Sequence, residues 1–356
     1  MHLLYLYPEE WTGRRAREMH TDATCQALAE QGVDVTLVTA GGLSKSVSGA
    51  VHYVNLSRRF GPIKSAAIFR RRFQQWLRSQ TRFDWAYIIH LKAAAMLRDK
   101  DGTPIPYVYE AHEIFSQTPQ KKEAKQIKLY ELERGVISGA AMRIATSAAL
   151  AEALKIRFAL AHDFEIVPNA GYIPLPSSVG SPHGPFVYAG SISDWKGLDL
   201  VIEAAREAGV PLKVVGGTAG EWRKLGRQID TSGITWQPRV APRALDKALA
   251  GARAGLIPTQ PETPSGRYSC PMKLFDYARC GLPVISTALP SLESLNVGPW
   301  CTQVTEPTRE AWVKALMSFR HEPDQGEAAR AWAGEHTWAK RAEALVRAFA
   351  RHTPRA

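Results

Sequence analysis

Residues 254–287, AGLIPTQPETPSGRYSCPMKLFDYARCGLPVIST, decide the architecture. A short apolar run, Ala254 to Pro258, leads into a polar loop and then into a helix that starts near Met272. Gly281 ends that helix, and Leu282 to Thr287 forms a second apolar run. Two short apolar runs joined by loop and helix predict neighbouring parallel strands in an α/β sheet.

The same alternation extends outward over the whole chain of 356 residues. His2 to Tyr7 predicts a buried strand, Arg14 to Gln31 a helix closed by Gly32, and Val33 to Thr39 the next strand. Further strands are expected at Trp85 to Ile89, Pro106 to Glu110, Met142 to Thr146 and Phe164 to Val167. The pattern then breaks at PNAGYIPLPSSVGSPHGP, residues 168–185, which is rich in Pro, Gly and Ser and has no periodicity. It restarts with FVYAG at 186–190, a helix around Leu198 to Ala205, and strands at PLKVVG, Ile234 to Gln237, Ala254 to Pro258, Leu282 to Thr287 and Trp300 to Val304. Two doubly wound, Rossmann-like parallel-sheet domains are therefore expected. They span residues 1–170 and 185–336, with a linker at 171–184 and a tail helix from 337 to 356 whose apolar stripe packs back on the first domain.

Composition excludes several classes. The chain is 45% hydrophobic and 22% charged, with 23 Pro and 27 Gly, as in a soluble globular protein. It has no apolar run of membrane-spanning length and no secretory leader, so a cytoplasmic protein is expected. Cys25, Cys270, Cys280 and Cys301 form no C-x-x-C pair and predict reduced thiols and no metal site.

The formal net charge is +11. It is spread along the chain: 23 basic against 17 acidic residues precede position 171, and 22 against 17 follow it. One block concentrates it. Arg58 to Arg82 holds eight basic residues, among them Arg70, Arg71 and Arg72, and no acidic one. Phe69, Phe73, Trp76 and Leu77 fall on one helix face inside that block. Such a basic amphipathic helix suits an anionic membrane surface, or else is a surface helix whose aromatic face is core. No helix-turn-helix, RNA-recognition signature or metal finger supports nucleic acid as a partner.

Chemistry is expected in the loops that follow strands. In the first, PEEWTGRRAR, Gly13 precedes a helix and lets backbone approach a phosphate, although a plain turn glycine is the better reading of a single glycine. The absence of G-x-G-x-x-G there argues against a nicotinamide dehydrogenase. In GSISDWKG, residues 190–197, Lys196 and Gly197 stand at a helix start after a strand, so an ammonium group converges with free backbone N–H groups. Lys273 and Asp276 occupy the start of the helix in the segment quoted first.

These segments, GSISDWKG, PTQPE at 258–262 and DYARCGLPV at 276–284, with PNAG at 168 and HEI at 112, resemble the retaining GT-B glycosyltransferases of family 4, and the resemblance covers nearly the whole chain. It implies two domains facing across a cleft and a nucleotide-sugar donor, UDP- or GDP-linked, with no cofactor or metal. Asp276 would hold the donor ribose, where the family usually has Glu. The N–H groups of Met272 and Lys273, at the helix start with Leu274, would hold the diphosphate, Lys196 would neutralise it, and His112 would face the sugar. Gly216 and Arg239 lie in loops expected to contact the nucleoside. Two departures stand out: Ser191 replaces the arginine that follows the strand glycine, and Tyr268 replaces a glutamate. Lys273 is expected to supply the missing cation; for the missing carboxylate, either Glu262, six residues earlier, reaches the donor sugar, or the role is lost or shared with Ser269.

The activity implied is metal-independent transfer of a sugar, with retention, to a glycan or lipid-linked acceptor. The basic helix, through Arg70, Arg71, Arg72 and Trp76, would place the protein at the inner face of a membrane during bacterial surface polysaccharide or glycolipid assembly. A nucleotide-sugar epimerase on the same fold and a polyanion-binding protein on a degenerate scaffold are the alternatives.

Overall fold

The computed structural model describes all residues except Arg14, 43–49, 61–62, 99–100, 119–121 and 353–356. It divides into two compact units, one of Met1–Pro168 with Trp338–Ala356, the other of Asn169–Thr337.

The first unit is built on seven parallel strands in the order β3-β2-β1-β6-β7-β8-β9. In chain order, β1 is His2–Tyr7, β2 Asp34–Thr39, β3 Val51–Asn55, β6 Trp85–Ile88, β7 Tyr107–Ala111, β8 Met142–Ala145 and β9 Glu165–Ile166, with a small antiparallel hairpin, β4 (Arg59–Phe60) and β5 (Ile63–Lys64), between β3 and β6. Helices α1 (Ala16–Glu30), α2 (Ala66–Arg78), α3 (Glu123–Gly139) and α4 (Ala148–Phe158) connect them. The tail forms α13, Trp338–His352, which packs on α1 through a buried stripe of Trp338, Arg341, Ala342, Leu345 and Phe349. The central strands read as nearly unbroken apolar runs because both faces of the sheet are covered.

The second unit carries six parallel strands in the order β12-β11-β10-β13-β14-β15: β10 is Phe186–Ala189, β11 Leu212–Val215, β12 Thr235–Gln237, β13 Ala254–Ile257, β14 Val284–Thr287 and β15 Cys301–Val304. Helices α5 (Leu198–Glu207) to α12 (Pro323–Glu335) surround it, including α6 (Ala219–Leu225), α7 (Leu245–Leu249), α8 (Pro264–Arg267), α9 (Met272–Arg279), α10 (Pro290–Glu293) and α11 (Arg309–Ser318). Side chains alternate across the strands: Val187 and Ala189 meet α9 and α12, while Phe186 and Tyr188 meet α5 and α11. The chain leaves β10 in one direction to β11 and later returns on its other side to β13, which makes the β10/β13 edge the switch point where ligands bind in such sheets.

Residues 171–184, expected as a linker, lie along the second unit as an ordered strap. Leu175 N–H donates to Arg279 O, Val179 N–H to Cys280 O, and the Ser178 hydroxyl to Gly281 O. Poor periodicity there reflects a segment that satisfies its backbone on a helix end, without regular structure of its own. The strand β3 escapes sequence reading because it is short and half exposed, and the β4–β5 hairpin because its strands have only two residues each.

The basic helix forms as α2, capped by Ser65, whose hydroxyl accepts from Ala67 N–H. Its aromatic face is core: Phe69, Phe73 and Leu77 are buried, and Trp76 packs between Phe73 and Phe83. Of the two readings of this helix, the burial of Phe69, Phe73 and Leu77 favours the core-facing one, because a ring that fills the core has no area left for lipid. Arg70, Arg71 and Arg78 remain exposed, while Arg72 donates to Ser57 O at 2.8 Å.

Candidate active site

Three loops at the carboxyl ends of β10, β11 and β13 are held against one another, and glycine makes the approach possible. A Cβ on Gly216, at φ +141°, would lie 1.8 Å from Gly190 O, and one on Gly197, at φ +62°, would lie 2.0 Å from Pro258 O. Gln260 N–H donates to Trp195 O at 2.9 Å, which ties the loop after β13 to the loop after β10. Helix α9 is anchored from below. Gly255 leaves room for the Tyr277 ring, which would otherwise meet a Cβ at 2.4 Å, and the Tyr277 hydroxyl accepts from Ala189 N–H at 2.7 Å.

This scaffold brings Ser191, Lys196 and Lys273 together. Lys196 Nζ donates to Ser191 Oγ at 2.7 Å, and the Tyr188 hydroxyl below donates to Ser191 O at 2.8 Å. Lys273 Nζ is buried with no hydrogen-bond partner and sits over the Tyr188 ring, 3.4 Å from where a Cβ on Gly190 would stand. Burial, then the Arg239 charge, lowers the Lys196 amine to about 8. Burial, then the neighbouring Lys196, holds Lys273 well below the ordinary lysine range. Neither lysine pairs with a carboxylate, so two cations converge on a desolvated place where an anion would relieve both. At the start of α9 no side chain caps the helix. Leu274 contributes nothing directly: its side chain is core and its N–H donates to Pro271 O, which leaves Met272 and Lys273 as the open end of the helix.

Asp276 follows one turn on. Burial pushes its carboxyl up to about 6, opposed by Arg279 and aided by Asp246. Arg239 is exposed and close enough to act on Lys196, and its N–H donates to Gly217 O. Glu262 is exposed immediately before Thr263, whose hydroxyl caps α8, and it makes no contact with Lys196 or Lys273. Ser269 is engaged elsewhere, its hydroxyl donating to Gly266 O and its carbonyl accepting from the Ser291 hydroxyl.

In the first unit, His112 lies just past β7, two residues after the buried Glu110 and so on the same side of the strand. Glu110 is the hub. Its Oε1 accepts from Arg341 at 2.5 Å and faces His112 Nε2 and His20 Nε2, each at 3.3 Å, while Oε2 accepts from the Tyr87 hydroxyl at 2.5 Å. Arg341 also donates from Nε to Pro168 O and from Nη1 to Thr24 Oγ1. Against the burial that would raise it, Arg341, His20 and His112 hold the Glu110 carboxyl well below the usual range. Burial lowers His112 to about 3, so its ring is neutral at physiological pH.

Gly13 does not make a phosphate site. The Glu18 carboxylate accepts from Thr12 N–H, Arg15 N–H and the Thr12 hydroxyl at the start of α1, so the anion that helix end attracts is already part of the chain.

Sequence reasoning missed Tyr188, His20, Glu110 and Arg341. A signal existed for two of them: Glu110 is a charge inside an apolar strand, and Arg341 interrupts the apolar stripe of the tail helix.

Comparison with known proteins agrees with this architecture. The model of Glycosyltransferase Family 4 matches residues 18–170, and that of a glycosyl transferase-like family matches residues 199–347. Sucrose-phosphate synthase from Thermosynechococcus elongatus superposes with a TM-score of 0.77 at 15% identity, covering 98% of each chain. WaaG, a glycosyltransferase involved in lipopolysaccharide biosynthesis, gives 0.70 at 15% identity, over 98% of this chain and 99% of the other. The lipopolysaccharide outer core galactosyltransferase WaaB gives 0.65 at 15% identity, over 99% of each. No curated protein matches the chain by sequence. The two sheets, with a family match on each unit, define a glycosyltransferase with the GT-B fold. Within that class, the family 4 model matches the first unit. Among the described residues no helix is long and apolar enough to cross a membrane.

Proposed function

We propose that the protein transfers a sugar from a nucleoside diphosphate donor, with retention and without a metal, to a glycan or lipid-linked acceptor in surface polysaccharide or glycolipid assembly. The observation that carries this proposal is the pair Lys196 and Lys273, both half-buried and the latter with a fully buried Nζ, neither paired with a carboxylate, beside the uncapped start of α9. A departing nucleoside diphosphate gains negative charge as the glycosidic bond breaks. Fixed cations and helix N–H groups placed where that charge develops lower the barrier. Lys273 stands in for the arginine that Ser191 replaces, and Asp276 accepts from the ribose hydroxyls. His112 contributes a neutral imidazole to the reacting sugar. Glu262 would reach the sugar only if the loop before α8 folds over the donor.

The exposed arginines of α2 suit the phosphates of an anionic membrane, where a lipid-linked acceptor is presented, and place the protein at its cytoplasmic face.

A panel of UDP, GDP, ADP, CMP and dTDP tests the donor site by thermal shift, since a ligand at 100 times its Kd stabilises a fold by about 2.7 kcal/mol. Selective stabilisation by one nucleotide, abolished in Asp276→Ala, is the expected result. No shift with any of them would sink the proposal in favour of a scaffold without a donor site.

A further inference from the structure

The buried carboxylate of Glu110 accepts hydrogen bonds from Arg341 and the Tyr87 hydroxyl and is flanked by the two histidine rings, each with Nε2 at 3.3 Å from Oε1. Arg341 and Tyr87 already make it a satisfied anion, so the histidines are not needed to neutralise it. What matters is which face of the His112 ring it meets. The ring nitrogen nearest Oε1, at 3.3 Å, is Nε2; it is buried and makes no hydrogen bond, so the carboxylate acts on it through its charge. The side chain as a whole retains 20% exposure, so the ring meets the outside through its other edge. A neutral imidazole carries one N–H and one lone pair. A lone pair on Nε2 would point at a carboxylate oxygen in a dry interior and be repelled, whereas an N–H there is attracted.

We propose that Glu110 is a positioning residue that fixes His112 as the tautomer protonated on Nε2, so that the ring offers the Nδ1 lone pair to a hydroxyl group of the bound sugar or acceptor. His112 is then an acceptor at the reacting centre and not a donor. His20 holds the plane of the ring, meeting it edge to face with centroids 4.6 Å apart. The charged and titratable groups around His112 are Glu110 on β7, His20 and Arg17 on α1, and Arg341 on α13. Only Glu110 is negative among these four. The spacing of His20 Nε2, Glu110 Oε1 and His112 Nε2, all within 4.8 Å, would also suit a divalent cation. The Arg341 guanidinium on the same oxygen opposes it, because a second positive charge would be placed beside the first without water to screen them.

The tautomer part of this inference stands without the proposed function; the identity of the hydroxyl rests on it. The test is long-range proton–nitrogen correlation of the full-length protein labelled with 15N-histidine, with the His112 signals assigned by their loss in His112→Gln. His112 is expected to be neutral and protonated on Nε2 from pH 6 to 8. In the charge-neutral variant Glu110→Gln with Arg341→Met, chosen because Glu110→Gln alone leaves a buried guanidinium unpaired, Nδ1–H is expected to appear in a substantial fraction of molecules. Nδ1–H as the main form in the unaltered protein would overturn the proposal, as would an unchanged tautomer in the double variant. Equimolar Zn2+ moving the Nε2 signals of His20 and His112 together would overturn it in favour of a metal site. Nucleotide binding by the double variant should stay within about twofold of the unaltered protein, since the donor contacts lie in the second unit. Failure of the donor site in the unaltered protein is thus read separately from failure of the tautomer.

Discussion

Lys273 Nζ stands 3.8 Å from the centre of the Tyr188 ring and has no hydrogen-bond partner, although it is buried. A desolvated cation over an aromatic face recovers about 2 kcal/mol, less than an ammonium group loses on leaving water. The empty protein therefore holds a buried amine that it would be more stable without. Lys273→Met is expected to raise the melting temperature of the nucleotide-free protein while weakening nucleotide binding about ten- to a hundredfold, the range of a charged hydrogen bond worth about 1.5–3 kcal/mol. Differential scanning calorimetry and titration calorimetry read the two effects, and a variant that loses both stability and binding would mean that the lysine is merely structural.

Nucleotide affinity should be greatest between about pH 6 and pH 8. Burial raises the Asp276 carboxyl to about 6, so below that pH it is protonated and loses its charge-assisted bonds to ribose hydroxyls. Burial lowers the Lys196 amine to about 8, so above that pH it is neutral and loses its hold on the diphosphate. Within the window both groups are charged although the fold favours their neutral forms. The empty protein accordingly gains stability from Asp276 as pH falls through 6, and from Lys196 as pH rises through 8. Binding and unliganded stability measured across pH 5 to 9 should run in opposite directions.

Arg341→Met leaves the Glu110 carboxylate buried without its cation. A loss of about 3–5 kcal/mol is expected in urea denaturation of the first unit. Adding Glu110→Gln should restore most of it, because the pair together contributes far less than either charge costs alone. A double variant no better than the single one would show that the guanidinium acts through its bonds to Pro168 O and Thr24 Oγ1 instead.

For the membrane, the informative residues are Arg70, Arg71 and Arg78, which are exposed, and not Arg72, which is committed to Ser57 O. Replacing the three with Ala should abolish flotation with vesicles rich in anionic lipid and leave the melting temperature within about 2 °C, since surface substitutions have small effects. Flotation that persists in the triple variant would remove α2 from the membrane surface.

Most of the fold was legible because parallel strands buried on both faces are apolar runs, and those runs recur where the strands lie. The lysines of the site were legible because they stand at helix starts after strands. What could not be read was packing across distance. Nothing local tells that the Tyr188 ring supports Lys273, 85 positions later in the chain, or that Glu110 and Arg341 neutralise each other. Gly13 misled for a physical reason, because Glu18 supplies the helix with its own anion. Leu274 misled because a helix start shows its first N–H groups outward and turns the next side chain into the core.

The placement of α13 in the first unit also bears on how the protein comes to be folded in the cell. Domains generally fold as units in the order in which they leave the ribosome. Here residues 169–337 are all translated before Arg341 can reach Glu110, so the nascent first unit waits with a carboxylate inside its sheet and the α1 face uncovered. The second unit, continuous in the chain, is complete first. Its sister, though begun earlier, is closed last, by a helix arriving after the other half of the molecule has been made.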